Sequence, residues 1–211
     1  EALYVLGDLF EYWAGDDDLD DPFNAKICAG LQRLSQSDVP LFFMAGNRDF
    51  LAGDGFASKA GLTLLPDPAL VEIAGASVLL MHGDTLCTDD DAYQMFRTEV
   101  RSPEWRKSFL ALPLDQRKAK IEALRQESEA QKRAKPAEIM DVNPAAVLQV
   151  LTSHRCTRLI HGHTHRPALH RLAVAGEACE RWVLPDWYER GGYLACDASG
   201  CRLLEWPPAA V

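Results

Sequence analysis

Four short apolar runs in this chain each end in a turn that holds glycine and at least one side chain able to ligate a metal. Leu3-Tyr4-Val5-Leu6 runs into Gly7-Asp8, and Pro40-Leu41-Phe42-Phe43-Met44-Ala45 runs into Gly46-Asn47-Arg48-Asp49. Ala76-Ser77-Val78-Leu79-Leu80-Met81 ends at His82-Gly83-Asp84. Thr157-Arg158-Leu159-Ile160 ends at His161-Gly162-His163-Thr164-His165-Arg166-Pro167. Apolar runs of this length, bounded by turn residues, read as buried strands. Open α/β sheets gather their ligands at the carboxyl ends of such strands. One His-X-His is explained equally well by a structural zinc or by solvated histidines. Four loaded strand ends make coincidence the weaker account. Their mixed oxygen and nitrogen donors suit manganese, iron or zinc in a two-metal site, where a bridging carboxylate holds the ions roughly 4 Å apart.

The intervening segments supply helices. Pro22 to Ser37 carries Phe23, Ile27, Leu31 and Leu34 at helical spacing, and the acidic stretch Asp16 to Asp21 before it reads as a solvated loop. Leu62 to Leu65 and Leu70 to Gly75 read as short strands. Asp89 to Lys135 reads as helical, cut into about three pieces by Pro103 and Pro113. Asn143-Pro144 has the form of an N-cap followed by a first-turn proline, which starts a helix to about Ser153. Three strand-like runs between Arg181 and Trp206 are expected to complete a second sheet.

At 211 residues and 47% hydrophobic, the chain has the size and core of one globular domain. No apolar run approaches the ~18 residues needed to cross a bilayer. The six cysteines include no Cys-X-X-Cys pair and read as reduced thiols of a cytosolic protein. A net charge of −9 argues against a general nucleic-acid binder. Between Arg97 and Lys135, however, eleven Lys or Arg face six Asp or Glu, a local excess of +5. Such a run is commonly a solvated helical face. Its sharper reading is a basic surface for an anionic substrate or anionic lipid headgroups.

In order and spacing, the four ligand-bearing blocks resemble the calcineurin-like metallophosphoesterase family. Further blocks, Gly7-Asp8-Leu9-Phe10-Glu11-Tyr12-Trp13, Gly46-Asn47-Arg48-Asp49-Phe50, His82 to Asp90, Ile139-Met140-Asp141-Val142-Asn143 and Gly162 to Pro167, narrow the resemblance. They are similar to the branch that hydrolyses the diphosphate of UDP-2,3-diacylglucosamine in lipid A biosynthesis. The resemblance covers essentially the whole chain. It implies an α/β (α+β) fold, a β-sandwich flanked by helices, with a helical lid insertion at about 89–135 that covers the active site and receives acyl chains. Trp105, Phe109 and Leu112 are expected to face a pocket beside the metals.

Carried over residue by residue, the resemblance implies that Asp8 bridges two manganese ions. Asn47, His82 and His163 then complete one site, and His165 belongs to the other. Arg48, Asp90, Tyr93, Ser128 and Lys135 fall where the family contacts its nucleotide sugar. Lys132, which stands in place of the family's Asn, joins them, and Asn47 and His163 are expected to contact the phosphate too. The family also opens with a strand bearing an Asp-X-His pair, which this chain lacks. The expectation is that such a strand precedes Glu1 in the natural protein, and that these 211 residues alone hold one metal firmly.

Arg48 separates this chain from the many relatives that carry His at that place. A guanidinium keeps its proton at any working pH and cannot serve as general acid. It can grip a phosphate in fork geometry. Phosphate leaves without needing a proton, so Arg48 favours a diphosphate over the phosphate monoester of an alcohol. The expected reaction is attack of a metal-activated water on the diphosphate, giving UMP and 2,3-diacylglucosamine 1-phosphate, on the cytoplasmic face of the inner membrane. Two alternatives stand beside it: a metallophosphoesterase for a dinucleotide polyphosphate or a phosphoprotein, and a scaffold of the same fold that does no chemistry.

Overall fold

The structure, a computed structural model, describes residues 1–134, 139–188 and 191–206. It is a mixed α/β fold whose chain divides into two compact units, Glu1–Pro66 with Asp89–Met140, and Asp67–Thr88 with Asp141–Val211. The segment 89–140 therefore belongs with the first unit.

In that first unit, β1 (Leu3–Val5), β2 (Leu41–Met44) and β3 (Thr63–Leu65) form a parallel sheet in that order. The crossovers are α1 (Pro22–Ser35) and α2 (Asp54–Ala60). The Asp21 carboxylate caps α1 by accepting from the N–H groups of Phe23 and Asn24, with Pro22 in the first turn. The core is aromatic. Phe10, Trp13, Phe43 and Phe56 are at most 2% exposed, with centroids 4.6 Å apart for Phe10 and Trp13 and 5.2 Å for Phe43 and Phe56. Each ring contributes about 1.5–3 kcal/mol by its burial. Two of them lie within five residues of Asp8, so the chain leaving β1 is anchored on both sides of Glu11.

The helical segment is broken where its prolines stand: α3 (Asp91–Val100), α4 (Pro103–Leu110) and α5 (Leu114–Ala134). Asp90 caps α3 and Ser102 caps α4. Trp105, Phe109 and Leu112 pack onto the aromatic core of this same unit. Phe109 is buried and stacks on Trp105 with centroids 4.6 Å apart. These side chains act as core of the first unit, and Trp105 also lies against Phe50 with ring centroids 6.0 Å apart.

The acidic stretch is likewise structural, which corrects its reading as a solvated loop. Asp16 accepts from Trp13 Nε1 at 3.0 Å and from the N–H groups of Gly53, Gly55 and Phe56, and so caps α2 from 37 residues away. Asp17 pairs with Arg117, whose hydrogen bond holds the carboxyl below its usual range against the opposing effect of burial. Asp18, 5% exposed, pairs with Lys118 at 2.8 Å. Arg117 itself is 2% exposed and also donates to the carbonyls of Ala14 and Leu112. Part of the basic excess on the insertion is thus consumed within the unit.

In the second unit a five-stranded sheet has the order β4-β5-β6-β8-β7. Its strands are β4 (Ala69–Ile73), β5 (Ala76–Met81), β6 (Arg158–His161), β7 (Ala168–Val174) and β8 (Glu177–Val183). Strands β5, β6 and β8 are parallel, whereas β4 and β7 pair antiparallel at the edges. The helix α6 (Pro144–His154), capped by Asn143, buries Val147 and Leu151 with Leu79, Met81 and Leu159. The strands β9 (Gly191–Asp197) and β10 (Gly200–Trp206) form a separate antiparallel pair. Of the three tail runs, one therefore joins the main sheet and two make a ribbon.

That ribbon corrects the reading of all six cysteines as thiols. Cys196 and Cys201 face each other in register with Cα atoms 4.1 Å apart and form a disulfide. Cys28, Cys87, Cys156 and Cys179 are free and buried.

Replacing Arg117 with Ala leaves buried carbonyls without their donor, and a loss of about 3 kcal/mol is expected in urea unfolding. Arg125→Ala, at a pair whose side chains are 40% and 49% exposed, is expected to cost less than about 1 kcal/mol in the same assay.

Candidate metal centre

Each unit carries part of the donor set, and each part is held by its own backbone. In the first unit, Asp8 follows β1 with a left-handed φ of 54°. Such a conformation is uncommon outside glycine, though aspartate tolerates it better than most. Asp49, 0% exposed, keeps it in place. Its carboxylate accepts from Gly46 N at 2.7 Å, Leu9 N at 2.8 Å, Asp8 N at 3.3 Å and Phe10 N at 3.4 Å. One buried charge thereby fastens the turn after β1 to the turn after β2. The Asp8 carboxylate in turn accepts from Arg48 N at 2.9 Å. Asn47 stands half-buried between these anchored neighbours.

The Arg48 side chain pairs with Glu11 and lies 3.7 Å from Asp8. Glu11 accepts from Arg125 of α5 as well, at 2.9 Å. Asp90 accepts from Tyr93 N at 3.1 Å, which leaves Tyr93 half-buried on the first turn of α3. Ser128 is exposed on α5. Lys135 and the side chain of Lys132 lie outside the described residues.

In the second unit, His82 follows β5 and His163 follows β6, which are parallel neighbours. Parallel pairing delivers both imidazoles to the same sheet edge. Their ring centroids are 5.1 Å apart, and a nitrogen of each lies within 4.8 Å of the other. His82 is 1% exposed. His163 and His165 have φ of 66° and 54°, again left-handed. His165 Nδ1 lies 3.5 Å from the Asp186 carboxylate. A carboxylate behind an imidazole orients it and leaves its far nitrogen to ligate. Asp141, another acid of this unit, pairs with Arg166. Burial works to raise its carboxyl, but the Val142 N–H and the Arg166 guanidinium prevail and hold it below the usual range.

The donors fit a divalent transition metal. Imidazoles and carboxylates are among its usual ligands, and the imidazoles of His82 and His163 are already close enough to share one ion. The sequence brought these residues into view. Asp49, Asp186 and Glu11 it missed as positioning groups, because an ordinary carboxylate in a turn carries no sign of what it will hold.

Asp49→Ala is expected to strand several backbone N–H groups, cost about 3 kcal/mol or more in chemical denaturation, and lower the bound metal measured by elemental analysis. Asp49→Asn, which keeps one acceptor oxygen, should fall between the two.

Comparison with known proteins agrees with this geometry. The family model for calcineurin-like phosphoesterases matches residues 1–167. The chain is 52% identical to a UDP-2,3-diacylglucosamine hydrolase of Aromatoleum aromaticum, over 100% of this chain and 83% of the relative. It is 47% identical to a hydrolase of the same name from Enterobacter sp. (strain 638), over 98% and 86% of the two chains. For that of Aeromonas hydrophila the identity is 49%, over 96% and 84%. With its ligand edges built as they are and this similarity along its length, the chain belongs to the calcineurin-like phosphoesterase family.

Proposed function

We propose that this protein is a metal-dependent hydrolase that cleaves the diphosphate of UDP-2,3-diacylglucosamine to UMP and 2,3-diacylglucosamine 1-phosphate, a step of lipid A biosynthesis. What carries the reading is the identity of about half of all residues to hydrolases of that name along the whole chain. In this reading Asp8, Asn47, His82 and His163 hold one ion, manganese by preference, and Asp8 and His165 contribute to a second. When bound, two divalent cations lower the pKa of a shared water, orient the phosphate and screen its charge.

The chain's own groups do the rest. Arg48 grips the phosphate under attack or departure, and its guanidinium, held by Glu11 and beside Asp8, need not travel far to do so. It holds its proton throughout, so the leaving phosphate departs as an anion. Asn47 and His163 contact the same phosphate. Asp90, Tyr93, Ser128, Lys132 and Lys135 bind the sugar and nucleotide, and the insertion 89–135 closes over the substrate. Its lipid-facing role is supported by Met95, Phe96 and Leu110, which are 75%, 40% and 40% exposed. No helix among the described residues is long and apolar enough to cross a membrane, and a peripheral contact with the cytoplasmic face of the inner membrane suits a substrate that lives there.

The test is turnover of UDP-2,3-diacylglucosamine against a dinucleotide tetraphosphate, with products identified by mass spectrometry. UMP and the sugar phosphate are expected, with activity lost on chelation and restored best by manganese. Faster turnover of the dinucleotide would assign the other phosphoesterase reading, and a chain that binds no metal would assign the scaffold. Arg48→Ala is expected to lose at least about ten-fold in activity at full metal occupancy, as a charged contact worth about 1.5–3 kcal/mol requires. Arg48→Lys should recover only part of this, because a point charge lacks the two-pronged geometry.

A further inference from the structure

The imidazole of His161 falls outside the ligand set proposed above, and the proposed chemistry leaves it unused. It is nonetheless the most enclosed histidine of the chain, 0% exposed at the end of β6. Its Nδ1 is 2.9 Å from the Gly162 carbonyl, and its Nε2 is 3.1 Å from Nη1 of Arg181 on β8. A guanidinium can only donate. Nε2 is therefore the acceptor, the ring is neutral, and its proton sits on Nδ1 and is donated to Gly162.

The ring touches both turns that carry the imidazole ligands. A Cβ on Gly83 would lie 2.8 Å from His161 Nδ1 and 3.1 Å from the Gly162 oxygen, and Gly83 has a φ of +117° besides. Glycine is thus required after His82 in part because His161 fills that space. Gly162 N donates to the His82 carbonyl at 2.9 Å, which ties the same two turns through the backbone. Leu184 N donates to the His161 carbonyl at 2.8 Å and fixes the end of β6 from its other neighbour.

We propose that His161 and Arg181 are positioning residues for the His82–His163 pair: Arg181 selects the tautomer of His161, and His161 sets the separation of the two ligand turns. The inference rests on the reading of His82 and His163 as metal ligands. A buried ring satisfies both nitrogens whatever its role; what marks His161 as a positioning group is that it fills the space against Gly83 and bonds to Gly162, one residue from each imidazole of the pair.

The test uses the whole chain, stripped by chelator and titrated with Mn²⁺ by calorimetry. Histidine ¹⁵N NMR and thermal melting of the metal-free protein run alongside. The native metal-free protein should show His161 neutral and protonated on Nδ1. Arg181→Leu should lose that signature and bind Mn²⁺ about 10–100-fold more weakly, as lost outer partners of metal ligands do, at an unchanged metal-free melting temperature. Arg181→Lys, which restores a charged donor, should recover most of the affinity. Protonation on Nε2 in the native protein overturns the proposal even should Arg181→Leu not fold. So does native affinity in Arg181→Leu, or an equal loss in Arg181→Lys. A native chain that binds no Mn²⁺ overturns instead the metal reading on which the proposal stands.

Discussion

Left-handed backbone at Asp8, His163 and His165 is the constraint around which both units are built. Each of these residues has a Cβ, so each holds a conformation costing on the order of 1 kcal/mol or more. Surrounding contacts must hold them there. In the first unit the contact is electrostatic: the buried Asp49 carboxylate collects backbone N–H groups from two turns. In the second it is steric and polar together, with Gly162 bonded to the His82 carbonyl and Thr164 N bonded to the Gly162 carbonyl at 2.8 Å. The turns that carry these side chains are thereby set by the protein, so a metal binding there would not have to order them.

Charge placement follows the same economy. The excess of cations in the insertion and the cluster of acids at Asp16 to Asp21 look, in sequence, like two solvated faces. In the first unit they meet, through Arg117 and Lys118. Arg101 turns inward as well, donating to the Gly46 carbonyl at 2.9 Å, one residue before Asn47. Much of the basic character that suggested an anionic substrate is therefore framework. Arg48 and Arg125, gathered on Glu11, are the cations that stay beside the ligand turn.

Much of this was legible beforehand because it is local. The apolar runs became strands, Pro103 and Pro113 broke the helices, and Asn143 caps the helix that Asn143-Pro144 announced. What escaped was set by distant partners. The helix α2 opens on Gly53, which supplies no cap of its own; its cap is Asp16, 37 residues earlier. The hairpin of β7 and β8 turns at Ala175-Gly176, both with positive φ, where Asn-Gly or Asp-Gly would have advertised the turn. Trp105, Phe109 and Leu112 showed an apolar stripe, and a stripe says that something covers it without saying what. The candidate ligand residues stood out through four strand ends and the family resemblance, whereas the groups that hold their turns are visible only in the fold.

The central claim is that donors from these preset turns take up metal. Anomalous diffraction from crystals grown with Mn²⁺, collected at the manganese edge, tests it most directly. The expected map has a strong peak in ligand contact with the imidazoles of His82 and His163. A map with no peak at either imidazole, from protein that still diffracts well and remains folded, would contradict it.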